Sequence, residues 1–173
     1  KGEFLSGMGP SGCGKSTIGR RFAKKGGWHF ADMDKEVERE CGMAVRDRFA
    51  LHGEEFFRRK ERETLGRLAA EEGDMVIATG GGVPVHGDNM DVMNRAGVTV
   101  YLRMNPERLV ARLGRGREHR PLIKGMDDET LLRFIEENLA ARESFYSRAT
   151  VTIDCDGASD DYICGHLAGI CGQ

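Results

Sequence analysis

The segment Gly9-Pro10-Ser11-Gly12-Cys13-Gly14-Lys15-Ser16 matches the pattern G-x-x-x-x-G-K-[ST] at all four fixed positions. Glycines let such a loop turn so that successive backbone N–H groups point into one concavity, which binds phosphate. Lys15 adds a positive charge for the β- and γ-phosphates, and the hydroxyl of Ser16 is suited to bind Mg²⁺. The segment therefore predicts a nucleoside triphosphate site at the start of a helix.

The residues on either side of this loop supply the strand and the helix that it requires. Residues 3–7 form a short strand candidate, and residues 17–25 place apolar side chains at helical spacing. Further apolar strand candidates, which alternate with helical patterns, lie at residues 28–31, 74–79, 98–102 and 150–153. The sequence therefore predicts an α/β fold of three layers, with a five-stranded parallel sheet between helices, in a single domain over residues 1–173.

Charge and composition narrow the class of partner. The chain of 173 residues has a formal net charge of −2, so no bulk positive charge favours nucleic acid or a membrane surface. No stretch approaches the roughly 20 apolar residues of a membrane-spanning helix. Five cysteines without a C-x-x-C pair are typical of a reducing compartment. We therefore expect a cytoplasmic protein that binds small molecules, and a monomer because no heptad or exposed apolar stripe is present.

Two carboxylates, Asp32 and Asp34, follow the second predicted strand. Ligands of open α/β sheets bind at the carboxyl ends of the strands, and alternate residues face the same way. We expect the pair to share a site, in which one carboxylate supports a Mg²⁺ shell and the other accepts a proton from the hydroxyl group that receives phosphate. The alternative is that Asp34 only caps the following helix.

A glycine triplet, Gly80-Gly81-Gly82, comes directly after the apolar strand at residues 74–79. Three consecutive glycines are entropically unfavourable, so we expect the backbone to approach a ligand closely there. A plain flexible turn is the alternative.

A basic, glycine-containing segment extends from Arg112 to Ile123. Its composition favours a mobile lid, at about residues 113–125, that closes over phosphates and excludes water. The alternative is a basic surface loop.

Taken in order, these motifs resemble those of the shikimate kinases, small P-loop kinases related to the nucleoside monophosphate kinases. The resemblance covers essentially the whole chain and lies in Gly9–Arg20, Asp32-x-Asp34, Gly53-Glu54-x-x-Phe57-Arg58, Gly80-Gly81-Gly82, Arg120-Pro121-Leu122, and Arg142 before Tyr146. Many kinases share the first motif, whereas the joint occurrence of the others is specific. The resemblance implies the P-loop kinase fold and ATP-dependent phosphorylation of the 3-hydroxyl group of shikimate, a step of chorismate and aromatic amino acid biosynthesis.

The resemblance also implies an acceptor site, with a substrate-binding region at about residues 32–62. Arg58 and Arg142 would hold the carboxylate of shikimate, since guanidinium groups match a planar carboxylate. The backbone of Gly80, Gly81 and Gly82 would bind its hydroxyl groups together with Asp34, which would also take the proton of the 3-hydroxyl. Phe49 and Phe57 would lie near its apolar side.

For the nucleotide, the resemblance implies contacts from Gly12, Cys13, Gly14, Lys15, Ser16, Thr17, Arg112 and Arg120. Lys15 and Arg120 would neutralise charge on the transferred phosphoryl group, and Arg112 would lie against adenine. Ser16 and Asp32 would hold Mg²⁺ as the cofactor, with ATP as co-substrate.

Two other functions are compatible with the phosphate loop. One is a kinase of another small polyol acid, such as gluconate, although that family generally lacks the combination of Phe57-Arg58 and the glycine triplet. The other is an inactive relative that binds only nucleotide or a partner protein. The joint presence of Lys15, Asp34, Arg58, Arg120 and Arg142 disfavours this second alternative.

Overall fold

The structure, a computed structural model, describes residues 4–120 and 122–172, and for residues 4, 5, 45, 46 and 48–50 it describes only the backbone. Five parallel strands form one sheet in the order β2-β3-β1-β4-β5. They are β1 (Phe4–Met8), β2 (His29–Asp32), β3 (Met75–Ala78), β4 (Val98–Arg103) and β5 (Val151–Asp154). The predicted five-stranded parallel sheet is confirmed.

Helices pack on both faces of this sheet. They are α1 (Lys15–Gly26), α2 (Met33–Cys41), α3 (Val45–Ala70), α4 (Asn89–Ala96), α5 (Pro106–Gly114), α6 (Asp128–Tyr146) and α7 (Asp160–Ile170). Short 3₁₀ turns occur at Val83–Val85 and Arg117–His119. None of these helices within the described ranges is both long and apolar enough to cross a membrane.

Strand β3 is apolar throughout because both of its faces are buried. Along β3, Val76 packs into a cluster with side chains of α1, α5, α6 and α7, whereas Ile77 packs into a second cluster with side chains of α2, α3 and α4. Neighbouring strand residues thus point to opposite layers, as the two-residue period requires. The predicted three-layer α/β/α architecture is confirmed.

Helix α3 is interrupted where the sequence places a glycine between two helical patterns. Gly53 has φ 76° and ψ 175°, in the left-handed region that favours glycine. The break divides α3 into a short N-terminal segment and a long C-terminal segment. The long segment places Arg58 against Gly82, which follows β3 in the chain. The side chain of Phe49, predicted beside the substrate, lies outside the described part of the chain, as does Pro121 within the predicted lid.

Candidate active site

The phosphate loop connects β1 to α1 as predicted. Gly12 and Gly14 have φ of 88° and 94°, so glycine is required at these turns, and Gly14 leads directly into the N-terminus of α1. The ammonium group of Lys15 donates hydrogen bonds to the carbonyls of Gly9 at 2.7 Å and Pro10 at 3.0 Å. The loop, the helix N-terminus and the lysine together form a concavity suited to phosphate.

Ser16 and Asp32 lie side by side at the carboxyl end of β2. The Ser16 hydroxyl donates to Oδ2 of Asp32 at 2.7 Å, and Oδ1 of Asp32 accepts from the backbone N–H of Lys35 at 3.5 Å. Asp32 is therefore the N-cap of α2. The alternative interpretation, in which Asp34 caps this helix, is wrong, because Asp34 already lies within the first turn of α2.

Hydroxyl and carboxylate oxygens such as those of Ser16 and Asp32 are the ligands that Mg²⁺ prefers. No group of three or more His, Cys, Asp or Glu side chains that could hold a metal ion occurs in the described ranges. A sparse protein donor set is typical of Mg²⁺ in kinases, because water and substrate phosphates complete its octahedron. The residues present therefore fit the ion.

Asp34 projects from the first turn of α2 into the cleft, where solvent reaches it. The pKa of its carboxyl group is raised, first because surrounding protein atoms desolvate it and second because the charge of Asp32 is nearby. The positive charge of Lys15 opposes this shift. Raised pKa values of carboxyl groups in clefts are typical of general bases.

The glycine triplet lies against three charged side chains, one for each glycine. A Cβ atom on Gly80 would lie 3.0 Å from Oδ1 of Asp34, and one on Gly81 would lie 2.9 Å from Nη1 of Arg142. A Cβ atom on Gly82 would lie 2.7 Å from Nη1 of Arg58.

No residue of the triplet has a positive φ, so backbone conformation does not explain the glycines. Glycine fits at these positions because charged side chains of other residues occupy the space that a Cβ atom would need. The triplet therefore brings Asp34, Arg58 and Arg142 to one stretch of backbone.

Glu61 is a buried member of the site that the sequence analysis missed. It is 3% exposed and accepts a hydrogen bond from Nη1 of Arg58 at 2.8 Å. Burial raises the pKa of Glu61, and the hydrogen bond from Arg58 opposes that shift. The carboxylate thereby fixes the guanidinium beside Gly82. Its spacing of three residues from Arg58 was the signal available in the sequence.

A cleft of about 400 Å³ extends from the phosphate loop to Asp34 and the first two glycines of the triplet. Its lining residues are Ser11, Gly12, Gly14, Lys15, Ser16, Thr17, Asp32, Asp34, Thr79, Gly80, Gly81, Arg112, Leu113 and Arg120. The structure thus brings together all the predicted nucleotide residues except Cys13, whose side chain is 0% exposed beneath the loop.

A second, more apolar cavity of about 300 Å³ opens between the predicted lid and α6. Arg120 lines both cavities, and Arg142 lines this one. Leu122 also lines it and is 81% exposed. The lid segment therefore lies beside the cleft, with Arg120 at the boundary between the cleft and the second cavity.

Comparison with known proteins identifies the family. The family model for shikimate kinase matches residues 11–169. A shikimate kinase of Parabacteroides distasonis is 43% identical over 149 residues, which cover 86% of this chain and 86% of that protein.

Solved structures agree with this match. The crystal structure of shikimate kinase from Bacteroides thetaiotaomicron has a TM-score of 0.92 at 34% identity and covers 99% of each chain. Shikimate kinase from Acinetobacter baumannii, in complex with shikimate, has a TM-score of 0.86 at 30% identity and covers 98% of this chain and 93% of that one. The chain belongs to the shikimate kinase family.

Proposed function

We propose that this protein transfers the γ-phosphoryl group of ATP to the 3-hydroxyl group of shikimate, with shikimate 3-phosphate and ADP as products. The observation that carries the proposal is the convergence of Asp34, Arg58 and Arg142 on the glycine triplet beside a phosphate loop. The relative from Acinetobacter baumannii, which is solved in complex with shikimate, supports the same acceptor.

The acceptor binds at the triplet end of the cleft, within a substrate-binding region at about residues 32–62. Arg58 and Arg142 hold its carboxylate, since two guanidinium groups supply forked donors for two oxygens. The backbone of the triplet supplies further polar contacts to the substrate. Because Asp34 lies against Gly80 in the same cleft, its carboxylate orients the 3-hydroxyl group and removes its proton.

The donor binds along the phosphate loop. Lys15 moves its hydrogen bonds from the loop carbonyls to the β- and γ-phosphates, and Arg120 approaches the transferred group from the lid. Arg112 lies against the adenine ring. Ser16 and Asp32 would hold Mg²⁺, which would neutralise charge on the phosphates.

The segment at about residues 113–125 acts as a lid within the single domain of residues 1–173. Closure over ATP moves Arg120 toward the phosphates and expels water, so that the phosphoryl group passes to shikimate rather than to water. The exposure of Leu122 supports this proposal, since burial of an apolar side chain on closure would stabilise the closed state.

We also propose that the protein acts in the cytoplasm as a monomer. All five cysteines lie in the described ranges and none forms a disulfide, as in reducing compartments.

The pH dependence of turnover follows from the raised pKa of Asp34. Because the carboxylate must be ionised to accept a proton, kcat/KM for shikimate should fall as the pH falls through the pKa of Asp34. The pH at which kcat/KM falls should lie above 3.8, the ordinary pKa of an aspartate. A profile that stays level down to 3.8 would contradict the assignment of Asp34 as the base.

Replacement of Gly82 by alanine should displace Arg58 without unfolding the protein. The new methyl group meets the flexible end of the arginine, not the backbone, and Gly82 has a negative φ of −90°. We expect KM for shikimate to rise about tenfold, as for loss of one charge-assisted hydrogen bond, with KM for ATP unchanged. Steady-state kinetics with each substrate varied in turn checks this.

Gly66 provides the matched control, because a Cβ atom there meets nothing within 4 Å. Gly66→Ala lies inside α3, so it should stabilise the protein by roughly 0.5–1 kcal/mol and leave both KM values unchanged. If Gly82→Ala leaves KM for shikimate at the wild-type value, the proposed contact between Arg58 and the substrate is wrong.

Product analysis tests the proposed regiochemistry. The reaction mixture should contain a shikimate monophosphate whose phosphorus nucleus couples to the proton on carbon 3 in a ³¹P–¹H NMR spectrum. Coupling to a proton on another carbon would contradict the proposed orientation by Asp34. Mass spectrometry of the same sample establishes that one phosphate has been added.

A further inference from the structure

Tyr146 is a buried residue that the proposed mechanism does not use. It ends α6, its side chain is 0% exposed, and its hydroxyl donates a hydrogen bond of 2.6 Å to the carbonyl oxygen of Gly81. Arg142 lies one helical turn earlier, with Nη1 2.9 Å from the Cβ position of the same glycine. One turn of α6 therefore presents a phenol and a guanidinium group to a single residue of the triplet.

The hydrogen bond from Tyr146 fixes more than the carbonyl that accepts it. The carbonyl of Gly81 and the N–H of Gly82 belong to one planar trans peptide unit, in which they point in opposite directions. A donor that holds the Gly81 oxygen toward α6 thus also sets the direction of the Gly82 N–H. Tyr146 therefore controls a backbone donor that it does not touch.

The Gly82 N–H donates no intramolecular hydrogen bond in the described part of the chain. There, neither Gly81 nor Gly82 donates its N–H to an acceptor within the protein. Arg58 lies against Gly82, with Nη1 2.7 Å from its Cβ position. A backbone donor next to a guanidinium group is suited to an anionic oxygen.

The surroundings of Tyr146 keep its phenol in place. Its ring stacks on that of Tyr101, with centroids 5.0 Å apart and an angle of 34° between the planes. Burial raises the pKa of Tyr146, so the hydroxyl remains a donor at neutral pH. The hydroxyl of Tyr101 donates instead to Glu143 at 3.1 Å, away from the triplet.

We propose that Tyr146 is a positioning residue for substrate recognition. Its hydroxyl holds the peptide unit between Gly81 and Gly82 so that the Gly82 N–H joins Arg58 and Arg142 in binding the substrate carboxylate. This inference rests on the proposed function, because shikimate supplies that carboxylate.

The test compares two conservative variants, Tyr146→Phe and Tyr101→Phe. Each removes one hydroxyl group from a buried, stacked pair of tyrosines, but only Tyr146 contacts the triplet. We expect Tyr146→Phe to raise KM for shikimate about fivefold to tenfold and to leave KM for ATP within about twofold of wild type. Tyr101→Phe should leave both constants within about twofold of wild type.

Equilibrium binding separates recognition from turnover. The dissociation constant of shikimate, measured by calorimetry without ATP, should rise in Tyr146→Phe by the same factor as KM. Equal changes of KM for shikimate in the two variants would overturn the inference, and so would equal changes of both KM values in Tyr146→Phe. These results would assign the hydroxyl a general structural role.

A measurement on the wild-type protein covers the case in which Tyr146→Phe does not fold. The amide proton resonance of Gly82 should move downfield when shikimate is added, because the N–H gains an anionic acceptor. An unmoved resonance with shikimate bound would overturn the inference and leave the proposed function intact. A wild-type protein that neither binds nor phosphorylates shikimate would overturn both.

Discussion

Asp34→Asn is expected to lower kcat for phosphorylation of shikimate by about 10²–10⁴-fold, the usual contribution of a general base. Asparagine keeps the size of the side chain and can still contact the substrate hydroxyl, but it cannot take a proton at neutral pH. ATP binding should survive, because Asp34 lies on α2 and is not part of the phosphate loop. Steady-state kinetics together with a nucleotide-binding titration checks both parts of this expectation.

The same substitution should stabilise the fold at neutral pH. A carboxyl group whose pKa is raised on folding contributes stability below its ordinary pKa, and that contribution is lost as the pH rises through the raised value. The ionised Asp34 is therefore unfavourable in the folded protein at neutral pH, and Asp34→Asn should raise Tm. The gain should shrink as the pH is lowered toward 3.8.

Asp161 provides a control, because its pKa is shifted in the opposite direction from that of Asp34. It also lies in the first turn of a helix, α7, but the pKa of its carboxyl group is lowered by the hydrogen bond from Lys25 and by the charge of Arg21. Asp161→Asn should therefore lower Tm slightly and leave kcat unchanged. A near-normal kcat in Asp34→Asn would show that Asp34 is not the base.

Arg58→Ala is expected to raise KM for shikimate about 100-fold, because it removes a charged donor that faces the substrate carboxylate. KM for ATP should stay near the wild-type value. Arg59→Ala is the matched control, since Arg59 is the adjacent residue on α3 and its side chain is 62% exposed. The control should leave both KM values unchanged.

The loss of Arg58 also leaves Glu61 buried without its partner, so Arg58→Ala should destabilise the protein. Combining it with Glu61→Gln removes the unpaired charge and should restore much of the lost Tm. Because the substrate would still lack its arginine, KM for shikimate should stay high in the double variant. Recovery of KM along with Tm would mean that Arg58 acts only through the stability of α3, and equal rises of both KM values in Arg58→Ala would remove it from the acceptor site.

The elements that could be predicted from the sequence are those whose signals are local. The phosphate loop and the apolar strand β3 both depend on residues close together in the chain. The start of α1 was predicted at residue 17, whereas the helix begins at Lys15. That difference arises because the loop residue Gly14, in the left-handed conformation, leads directly into the first turn.

The parts of the site that escaped prediction depend on contacts across the fold. The glycine triplet was interpreted as a backbone surface for ligand, yet its glycines are also required by Asp34, Arg58 and Arg142. Tyr146 lies 65 residues from Gly81 along the chain. The motifs name Tyr146 and the triplet separately. The hydrogen bond between them is seen only in the folded chain.

The charged residues around Arg58 in α3 also differ in environment in a way that only the folded structure reveals. The many charged residues at 54–63 are typical of a solvated helix face, and Arg59 does lie on such a face. Glu61 belongs to the same run but faces the site, because the pitch of α3 turns it to the side of Arg58. Composition alone does not distinguish these two environments.

The most direct test of the central claim is the rate of ADP release with ATP and Mg²⁺ and with shikimate, gluconate or no acceptor. The proposed function predicts rapid release with shikimate and only background release in the other two reactions. Release with gluconate but not with shikimate would assign the cleft to another polyol acid. No release above background with any acceptor, from folded protein shown to bind ATP, would contradict the proposed phosphoryl transfer.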